Sequence, residues 1–196
     1  TDEKIYNNKF TYGSFNNFKK ISNDTIEVWS KILNGNDSQI ILKNSFLDGN
    51  DIKFNLLKKF LNLGVKEEQI IFIDYEKREE DHYQHYNKIN LSLDTFPYPG
   101  VTTSFESIVM GVPVLTMHGF NFNSRCGASI NKNIGMNDLI AQNYEEYISI
   151  AKKLRNDPDL HLRYGKNLRD RALKSSLFDT KSFSKDFEKI LRNIQN

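Results

Sequence analysis

The sequence is poor in cysteine, has no excess of either charge and contains no long apolar run. A single cysteine, Cys126, excludes an internal disulfide and favours a cytoplasmic protein. Because 27 basic residues balance 25 acidic ones, we expect neither nucleic acid nor a charged membrane surface as a partner. No apolar stretch approaches the roughly 20 residues that span a bilayer, and no secretory signal segment opens the chain.

Several motifs are missing too. Neither a Walker loop nor a G-x-G-x-x-G sequence is present. His82 and His85 are only three residues apart, which favours solvated or nucleoside-facing side chains over a metal pair. Cys126 has no His/Asp partner nearby in sequence, so we do not expect it to act as a nucleophile. What the chain does contain is 38% hydrophobic and 12% aromatic residues, typical of a globular protein with a well-filled core.

Strand and helix patterns alternate through the first two thirds of the chain, and helices finish it. The predicted strands are Lys9–Phe15, Ser38–Leu42, Gln69–Asp74, Ile89–Asp94 and Pro113–Met117. The predicted helices are one opened by Asp24 and Glu27, then Ile52–Leu63, a short one within Glu76–Tyr86, Thr102–Met110, Arg125–Asn131, Asn137–Ala141, Tyr144–Leu154, one from Asp157, and Thr180–Ile194.

This alternation predicts an α/β fold, a doubly wound parallel sheet of the Rossmann type with a helical tail. We expect one domain over residues 1–196, with the sheet and its helices at about 8–118 and mostly helices at about 119–196. Because the chain begins at Thr1, we also expect a piece of a longer protein. Ligands of such sheets bind outside the carboxyl ends of the strands. The loops at that edge are Ser14–Lys20, Asp74–Glu80, Thr95–Thr103 and His118–Arg125.

The third of these loops is the most informative. Gly100, Thr102 and Thr103 place small residues and two hydroxyls where a helix begins, and a helix N-terminus favours phosphate. Glu106 follows one turn later, within reach of a ribose beside that phosphate. The alternative is an ordinary N-terminal cap, with a capping threonine and a surface glutamate.

Other polar residues have two interpretations each. Lys20, after the first strand, either reaches a phosphate as a point charge or lies in a solvated turn. Asp94, at a strand end, is either catalytic or caps the next loop. Ser124 and Arg125 either contact a phosphate or begin a helix.

Six segments occur in an order that is specific when they are taken together. They are Ser14–Ile21, Ile71–Phe72 followed by His82, Asp94–Thr103, Gly111–Thr116, Ser124–Ser129 and Asp138–Ala141. In this order the chain resembles the C-terminal half of the catalytic region of the O-GlcNAc transferase family. That family includes SPINDLY-like proteins and many bacterial proteins with tetratricopeptide repeats.

The resemblance implies the second Rossmann-like lobe of a GT-B glycosyltransferase, which holds most of the nucleotide-sugar donor. It implies transfer of a sugar, preferably GlcNAc from UDP-GlcNAc, to Ser or Thr of proteins. It assigns Lys20 to the donor diphosphate as the catalytic residue, Thr102 and Thr103 to phosphate, Glu106 to ribose and His82 to the nucleoside pocket. Asn17 falls where the family has a glutamine near the diphosphate.

By the same resemblance, the partners are the donor, an N-terminal lobe and tetratricopeptide repeats in the same chain, and a protein acceptor bound through them. Lys20, the threonines and helix N–H groups suffice to hold a diphosphate, so we predict no metal and no further cofactor. As an isolated segment the chain is expected to bind donor weakly and to transfer nothing.

Three positions depart from the family. Val101 replaces a histidine beside the threonines, and His85 replaces an arginine. Glu79 replaces a lysine that packs on uracil, and either Arg78 or Lys77 can take the place of that lysine. Because SPINDLY-like relatives use GDP-fucose, the base and the sugar remain open. Two alternatives also remain, a non-catalytic nucleotide-binding or protein-interaction module and a related cytoplasmic N-glucosyltransferase.

Overall fold

The sheet contains six parallel strands in the computed structural model, which describes residues 9–43 and 50–194. The strands are β1 (Thr11–Ser14), β2 (Gln39–Lys43), β3 (Ile70–Ile73), β4 (Leu91–Leu93), β5 (Val114–Met117) and β6 (Ile140–Ala141). Their spatial order is β3-β2-β1-β4-β5-β6, and every pairing is parallel. The order reverses between β1 and β4, where the connections leave in opposite directions and open a crevice. The predicted doubly wound fold is confirmed.

Helices flank the sheet. They are α1 (Asn23–Leu33), α2 (Asn50–Asn62), α3 (Glu79–Gln84), α4 (Thr102–Val109), α5 (Cys126–Asn133), α6 (Tyr144–Asn156), α7 (Pro158–Gly165), α8 (Leu168–Leu173) and α9 (Thr180–Ile194). Short 3-10 turns lie between them at Phe18–Lys20, Glu67–Gln69, His85–Lys88, Asn123–Arg125, Asn137–Leu139 and Ser176–Phe178. In the described part of the chain no helix is long and apolar enough to cross a membrane.

The start of α1 differs from the prediction. Asp24 and Glu27 were expected to open this helix, but the cap is Ser22, whose hydroxyl accepts from the backbone N–H of Thr25 at 3.1 Å. A serine two residues earlier is as good a cap as aspartate. The predicted apolar face is confirmed, because Trp29 and its helical neighbours are fully buried against the sheet.

The predicted helix over Asn137–Ala141 is wrong in its second half. Only a 3-10 turn forms, and Ile140 and Ala141 then add β6 to the edge of the sheet, with Ile140 opposite Thr116. The amide of Asn131 donates to the backbone oxygen of Leu139 at 3.2 Å and holds this turn. A strand of two residues is too short for the alternation of apolar and polar side chains to appear in the sequence. The pairing of β6 with β5 is therefore decided by tertiary contacts.

The helical tail is tied to the middle of the sheet by two tyrosines. The buried hydroxyl of Tyr147 lies 2.9 Å from the backbone oxygen of Asp94 and 3.3 Å from that of Leu115. Tyr12, in β1, donates from its hydroxyl to the backbone oxygen of Ala151 at 3.1 Å. Both hydroxyls are therefore satisfied inside the core, and α6 is fixed over the strands whose ends carry the polar loops.

Candidate functional site

The loop after β4 is organised around a buried carboxylate. Asp94 is 1% exposed, and its Oδ1 accepts from the backbone N–H groups of Gly100 at 2.6 Å and Thr95 at 3.0 Å. Its Oδ2 accepts from the hydroxyl of Thr116 at 2.7 Å. Burial raises the pKa of Asp94 to about 6, against the opposing effect of these donors and of Lys20. Of the two roles considered for Asp94, the structure shows the loop cap.

The N-terminus of α4 is open. Its N-cap residue is Val101, and no side chain caps the helix in the described part of the chain. The alternative of a capping threonine is therefore wrong. Thr102 is exposed, while Thr103 donates from its hydroxyl to Oδ1 of Asn16 at 3.0 Å. A side chain at Gly100 would overlap the Thr103 hydroxyl, so the backbone packs this closely only because residue 100 is glycine. Uncapped N–H groups at a helix start suit an anion.

Lys20 lies against the same loop from the other side of the crevice. It ends the 3-10 turn after β1, and its Nζ donates to the backbone oxygen of Pro99 at 3.2 Å. The ammonium is also 4.5 Å from the ring centre of Tyr98. Partial burial lowers the pKa of Lys20, while nearby Asp94 acts in the opposite direction. The structure thus places the predicted lysine beside the predicted phosphate loop.

Asn17 and its neighbour differ in what they contact. The side-chain oxygen of Asn17 accepts from the backbone N–H of Lys19 at 3.0 Å, within its own turn. Asn16 instead is buried, and its amide nitrogen lies 3.4 Å from Oδ1 of Asp94. Sequence reasoning missed Asn16. The signal was its place directly after β1, where consecutive side chains face opposite directions.

Glu106 and His82, predicted to face the nucleoside, come together one turn into α4 from its N-terminus. Nε2 of His82 lies 3.1 Å from Oε2 of Glu106, and the hydroxyl of Tyr86 donates to the same oxygen at 3.0 Å. Tyr86 was not predicted, since a tyrosine in a charged segment carries no distinctive signal. The site therefore runs along α4 from its open N-terminus to a carboxylate one turn further.

Beyond Glu106 the crevice widens into a polar cleft of about 220 Å³. Its lining residues are Phe15, Lys43, Tyr75, Glu76, Lys77, Glu79, His82, Tyr83 and Glu106. Of the two predicted departures from the family in this region, Glu79 lines the cleft, and His85 contacts Glu76, which also lines it. A cavity that combines aromatic faces with a few charges suits a small polar ligand.

Lys43, at the end of β2, is the charge that sequence reasoning overlooked in this cleft. Its side chain is 4% exposed and lies 3.9 Å from Oε2 of Glu76, which is also 2.8 Å from Nε2 of His85. Burial lowers the pKa of Lys43, opposed by Glu76. Its position as the last residue of a buried strand, at the edge where ligands bind, was the available signal.

Both histidines of the sequence pair thus have a glutamate partner, His82 with Glu106 and His85 with Glu76. In residues 9–43 and 50–194 no group of three or more His, Cys, Asp or Glu side chains is arranged to hold a metal ion. Ser124 and Arg125 lie in a 3-10 turn before α5, where Ser124 bonds to Asn121. They therefore stand at the start of a helix, as the second interpretation has it, while a contact with phosphate stays a prediction.

The doubly wound sheet has an open helix N-terminus beside a lysine at its switch point, and a cleft extends past Glu106. These features define the class as a Rossmann-like lobe. The model of glycosyl transferase family 41 matches residues 2–187. The chain belongs to this family.

Curated relatives agree with this assignment. The chain is 34% identical over 191 residues to the probable UDP-N-acetylglucosamine–peptide N-acetylglucosaminyltransferase SPINDLY of Solanum lycopersicum, covering 97% of this chain and 20% of that protein. It is 30% identical over 183 residues to the UDP-N-acetylglucosamine–peptide N-acetylglucosaminyltransferase of Caenorhabditis elegans, covering 91% of this chain and 15% of that protein. The chain thus spans a fifth or less of the length of these relatives.

Solved structures give the same fold. A mutant O-GlcNAc transferase of Thermobaculum terrenum superposes with a TM-score of 0.87 at 30% identity, over 98% of this chain and 38% of that one. Anabaena HepE in complex with UDP superposes with a TM-score of 0.69 at 16% identity, over 95% and 49%. The second likeness concerns the fold alone. The chain is a Rossmann-like, C-terminal lobe of the GT-B glycosyltransferase type.

Proposed function

We propose that this chain is the donor-binding lobe of a protein O-glycosyltransferase that transfers GlcNAc from UDP-GlcNAc to Ser or Thr side chains. The observation that carries the proposal is the open N-terminus of α4 with Lys20 beside it and Glu106 one turn on. This arrangement matches a diphosphate followed by a ribose. The names of the relatives, peptide N-acetylglucosaminyltransferases, support the sugar and the acceptor.

The chemistry fits the arrangement. When the sugar bond breaks, negative charge develops on the departing nucleotide diphosphate. Preorganised donors at that point stabilise the transition state more than the ground state. In the proposal Lys20 supplies the cation, Gly100, Thr102 and Thr103 bind the phosphates through backbone N–H and hydroxyl groups, and no metal takes part.

The remaining assignments follow the cleft outward. Glu106 accepts from ribose hydroxyls, His82 lies in the nucleoside pocket, and Asn17 stands at the edge of the diphosphate. We further propose that residues 1–196 form one lobe of a longer cytoplasmic protein. Its other lobe and tetratricopeptide repeats bind the protein acceptor, and the partners include neither nucleic acid nor membrane.

Val101 favours a second candidate function, a lobe that binds nucleotide without catalysis. This side chain is 45% exposed at the N-cap, and as an apolar group it cannot donate a hydrogen bond to a phosphate. Without the polar side chain that the family has there, a diphosphate is bound less tightly, but it can still bind because the helix N–H groups remain.

The test uses the full-length protein that contains this chain, with Lys20→Ala as the variant. Sugar transfer to protein is measured with UDP-GlcNAc and with GDP-fucose as donors, and nucleotide affinity by calorimetry with UDP and GDP. We expect transfer from UDP-GlcNAc and not from GDP-fucose, and a fall of roughly 10²–10³-fold in the rate of transfer by the variant. Lys19→Ala is the matched control, because Lys19 is the adjacent residue and its side chain is exposed.

The outcomes separate the candidates. Nucleotide binding without transfer in the wild type would support the non-catalytic lobe. Unchanged turnover in Lys20→Ala, with folding intact, would remove Lys20 from the diphosphate. Absence of both transfer and nucleotide binding would overturn the proposed function.

A further inference from the structure

Glu106 is held from one side only. Its Oε2 receives two contacts, from the hydroxyl of Tyr86 at 3.0 Å and from Nε2 of His82 at 3.1 Å. No described residue donates to Oε1 within hydrogen-bond distance, although Glu106 lines the cleft. The two donors occupy both lone pairs of Oε2 and leave those of Oε1 to a ligand.

Tyr86 is the rigid member of this arrangement. It is 1% exposed and belongs to a small buried cluster with Phe15, Ile41, Ile89 and Val112. Its ring centre lies 4.5 Å from that of Phe15. Its hydroxyl also lies 3.3 Å from the backbone oxygen of Thr103, in the first turn of α4. The side chain therefore joins the buried cluster to the helix start and to the Glu106 carboxylate.

The tyrosine remains a donor at any ordinary pH. Burial, and then the neighbouring Glu106 carboxylate, raise the pKa of Tyr86 far above its usual value. The Nε2 of His82 also acts as a donor when its proton lies on that nitrogen, the tautomer that a carboxylate partner favours. Because His82 is less than fully buried, at 23% exposed, Tyr86 is the more strongly fixed of the two.

We propose that Tyr86 is a positioning residue that orients the Glu106 carboxylate so that Oε1 accepts from the ribose hydroxyls of a nucleoside diphosphate. This inference rests on the proposed function, since it requires a ribose at Glu106. It assigns to Tyr86 the selection of ribose, and to His82 a supporting contact with Glu106 in addition to its place in the nucleoside pocket. A carboxylate fixed before binding loses less side-chain entropy when the ligand arrives.

The test measures ribose preference in the full-length protein. Calorimetry gives the affinity for UDP and for GDP, and for the analogue of each that lacks both ribose hydroxyls. Tyr86→Phe keeps the ring that packs on Phe15 and removes only the hydroxyl. We expect it to reduce the preference for the ribose form about tenfold, while affinity for the analogues is unchanged. Equal weakening of both forms, or an unchanged preference, would overturn the inference.

Glu106→Gln is the second variant, and it tests the role of Glu106 in ribose binding even if Tyr86→Phe does not fold. We expect Glu106→Gln to lose the ribose preference, and wild-type preference in this variant would overturn the inference. In the double variant, Tyr86→Phe should then have no further effect, because it acts through Glu106. A full further loss would show that Tyr86 acts elsewhere and would equally overturn it.

Tyr164→Phe is the matched control. Tyr164 also donates to a carboxylate, Oδ2 of Asp138, at 3.0 Å, but these two residues line a separate cleft. Its removal should leave the ribose preference unchanged. If the wild type binds neither UDP nor GDP, the proposed function fails and this inference with it. If the wild type binds without ribose preference, this inference alone fails.

Discussion

The two halves of the site are built differently. The diphosphate half, made of Lys20, Asp94 and Gly100–Thr103, is held by backbone donors that converge on one buried carboxylate. The nucleoside half, made of the cleft residues around Glu76, is held by side-chain pairs on that glutamate, which is 30% exposed, while its partners Lys43 and His85 are 4% and 10% exposed. The first half has its shape before any ligand arrives. The second half can be altered by a single substitution without disturbing the loop.

Of the three departures from the family that the resemblance predicts, Glu79 and His85 belong to the nucleoside half and Val101 to the diphosphate half. In the proposed function, the base is therefore the part of the ligand most open to change, whereas the diphosphate contacts depend on a backbone path that tolerates little change. The two halves should therefore also differ in how much a substitution changes the free energy of unfolding.

The largest effect is expected from the pH dependence of Asp94. Its pKa is about 6 in the folded state against a usual 3.8. The folded state therefore binds the proton of Asp94 more tightly than the unfolded state does. The contribution of this proton to the unfolding free energy is complete below about pH 4 and is lost as pH rises through about 6. It amounts to about 3 kcal/mol.

Urea unfolding of wild type and Asp94→Asn between about pH 4 and pH 7 measures this contribution. The unfolding free energy of the wild type should fall relative to that of Asp94→Asn as pH rises through that window. Parallel curves would show that the donors around the carboxylate cancel the effect of burial.

The next effect is steric. In Gly127→Ala the new methyl group would overlap the hydroxyl of Thr116 and lie 2.6 Å from Oδ2 of Asp94. We expect a loss of about 1–3 kcal/mol in unfolding free energy, despite the higher helix propensity of alanine. Gly165→Ala is the control, because its nearest neighbour, the backbone oxygen of Gly111, is 3.4 Å away. If Gly127→Ala were as stable as the control, the diphosphate half would not be rigid.

A smaller effect is expected in the nucleoside half. Glu76→Gln removes the charge that Lys43 and His85 share, and should cost about 1 kcal/mol, since Glu76 is 30% exposed and solvent screens the pair. The pKa of Lys43 should fall further, because Glu76 opposes the effect of burial. Chemical denaturation and the titration of Lys43 by NMR check the two statements. Glu80→Gln, on the exposed part of α3, is the control.

The smallest effect concerns the surface pair of Arg78 and Asp81. Arg78 donates to both carboxylate oxygens of Asp81, at 2.7 and 2.8 Å, but its side chain is 73% exposed. Solvent screening and side-chain entropy offset such contacts. We expect no detectable change in the denaturation midpoint for Arg78→Ala. A shift as large as that of Glu76→Gln would remove the distinction between buried and exposed charges in this half.

The sequence predicted the sheet well because several of its strands appear as short apolar runs bounded by polar turns. Ile40–Leu42 is such a run and is buried, and Ile70–Ile73 is another, which is only partly buried at the edge of the sheet. β6 was not predictable from two residues, since its partner β5 supplies the pairing. Gly100 was proposed from its place after a strand, where parallel sheets bind ligands, whereas Lys20 was assigned to the diphosphate by the family resemblance.

Side-chain choices inside the site were not predictable in the same way. Asn16 rather than Asn17 contacts Asp94, which depends on the direction of one residue after β1. Tyr86 and Lys43 gain their importance from burial, and burial is decided by packing between segments far apart in sequence. The positions of polar side chains relative to one another are tertiary information that a periodic pattern does not carry.

The tyrosine that joins α6 to the sheet has a consequence for dissecting this protein. Because the Tyr147 hydroxyl reaches the backbone of Asp94 and Leu115, and β6 completes the sheet edge, the shortest expressible lobe must extend through α6. A truncation after residue 118 would expose the edge of β5 and remove the tyrosine donor from the buried backbone oxygen of Asp94. Such a fragment should form inclusion bodies, whatever its affinity for nucleotide.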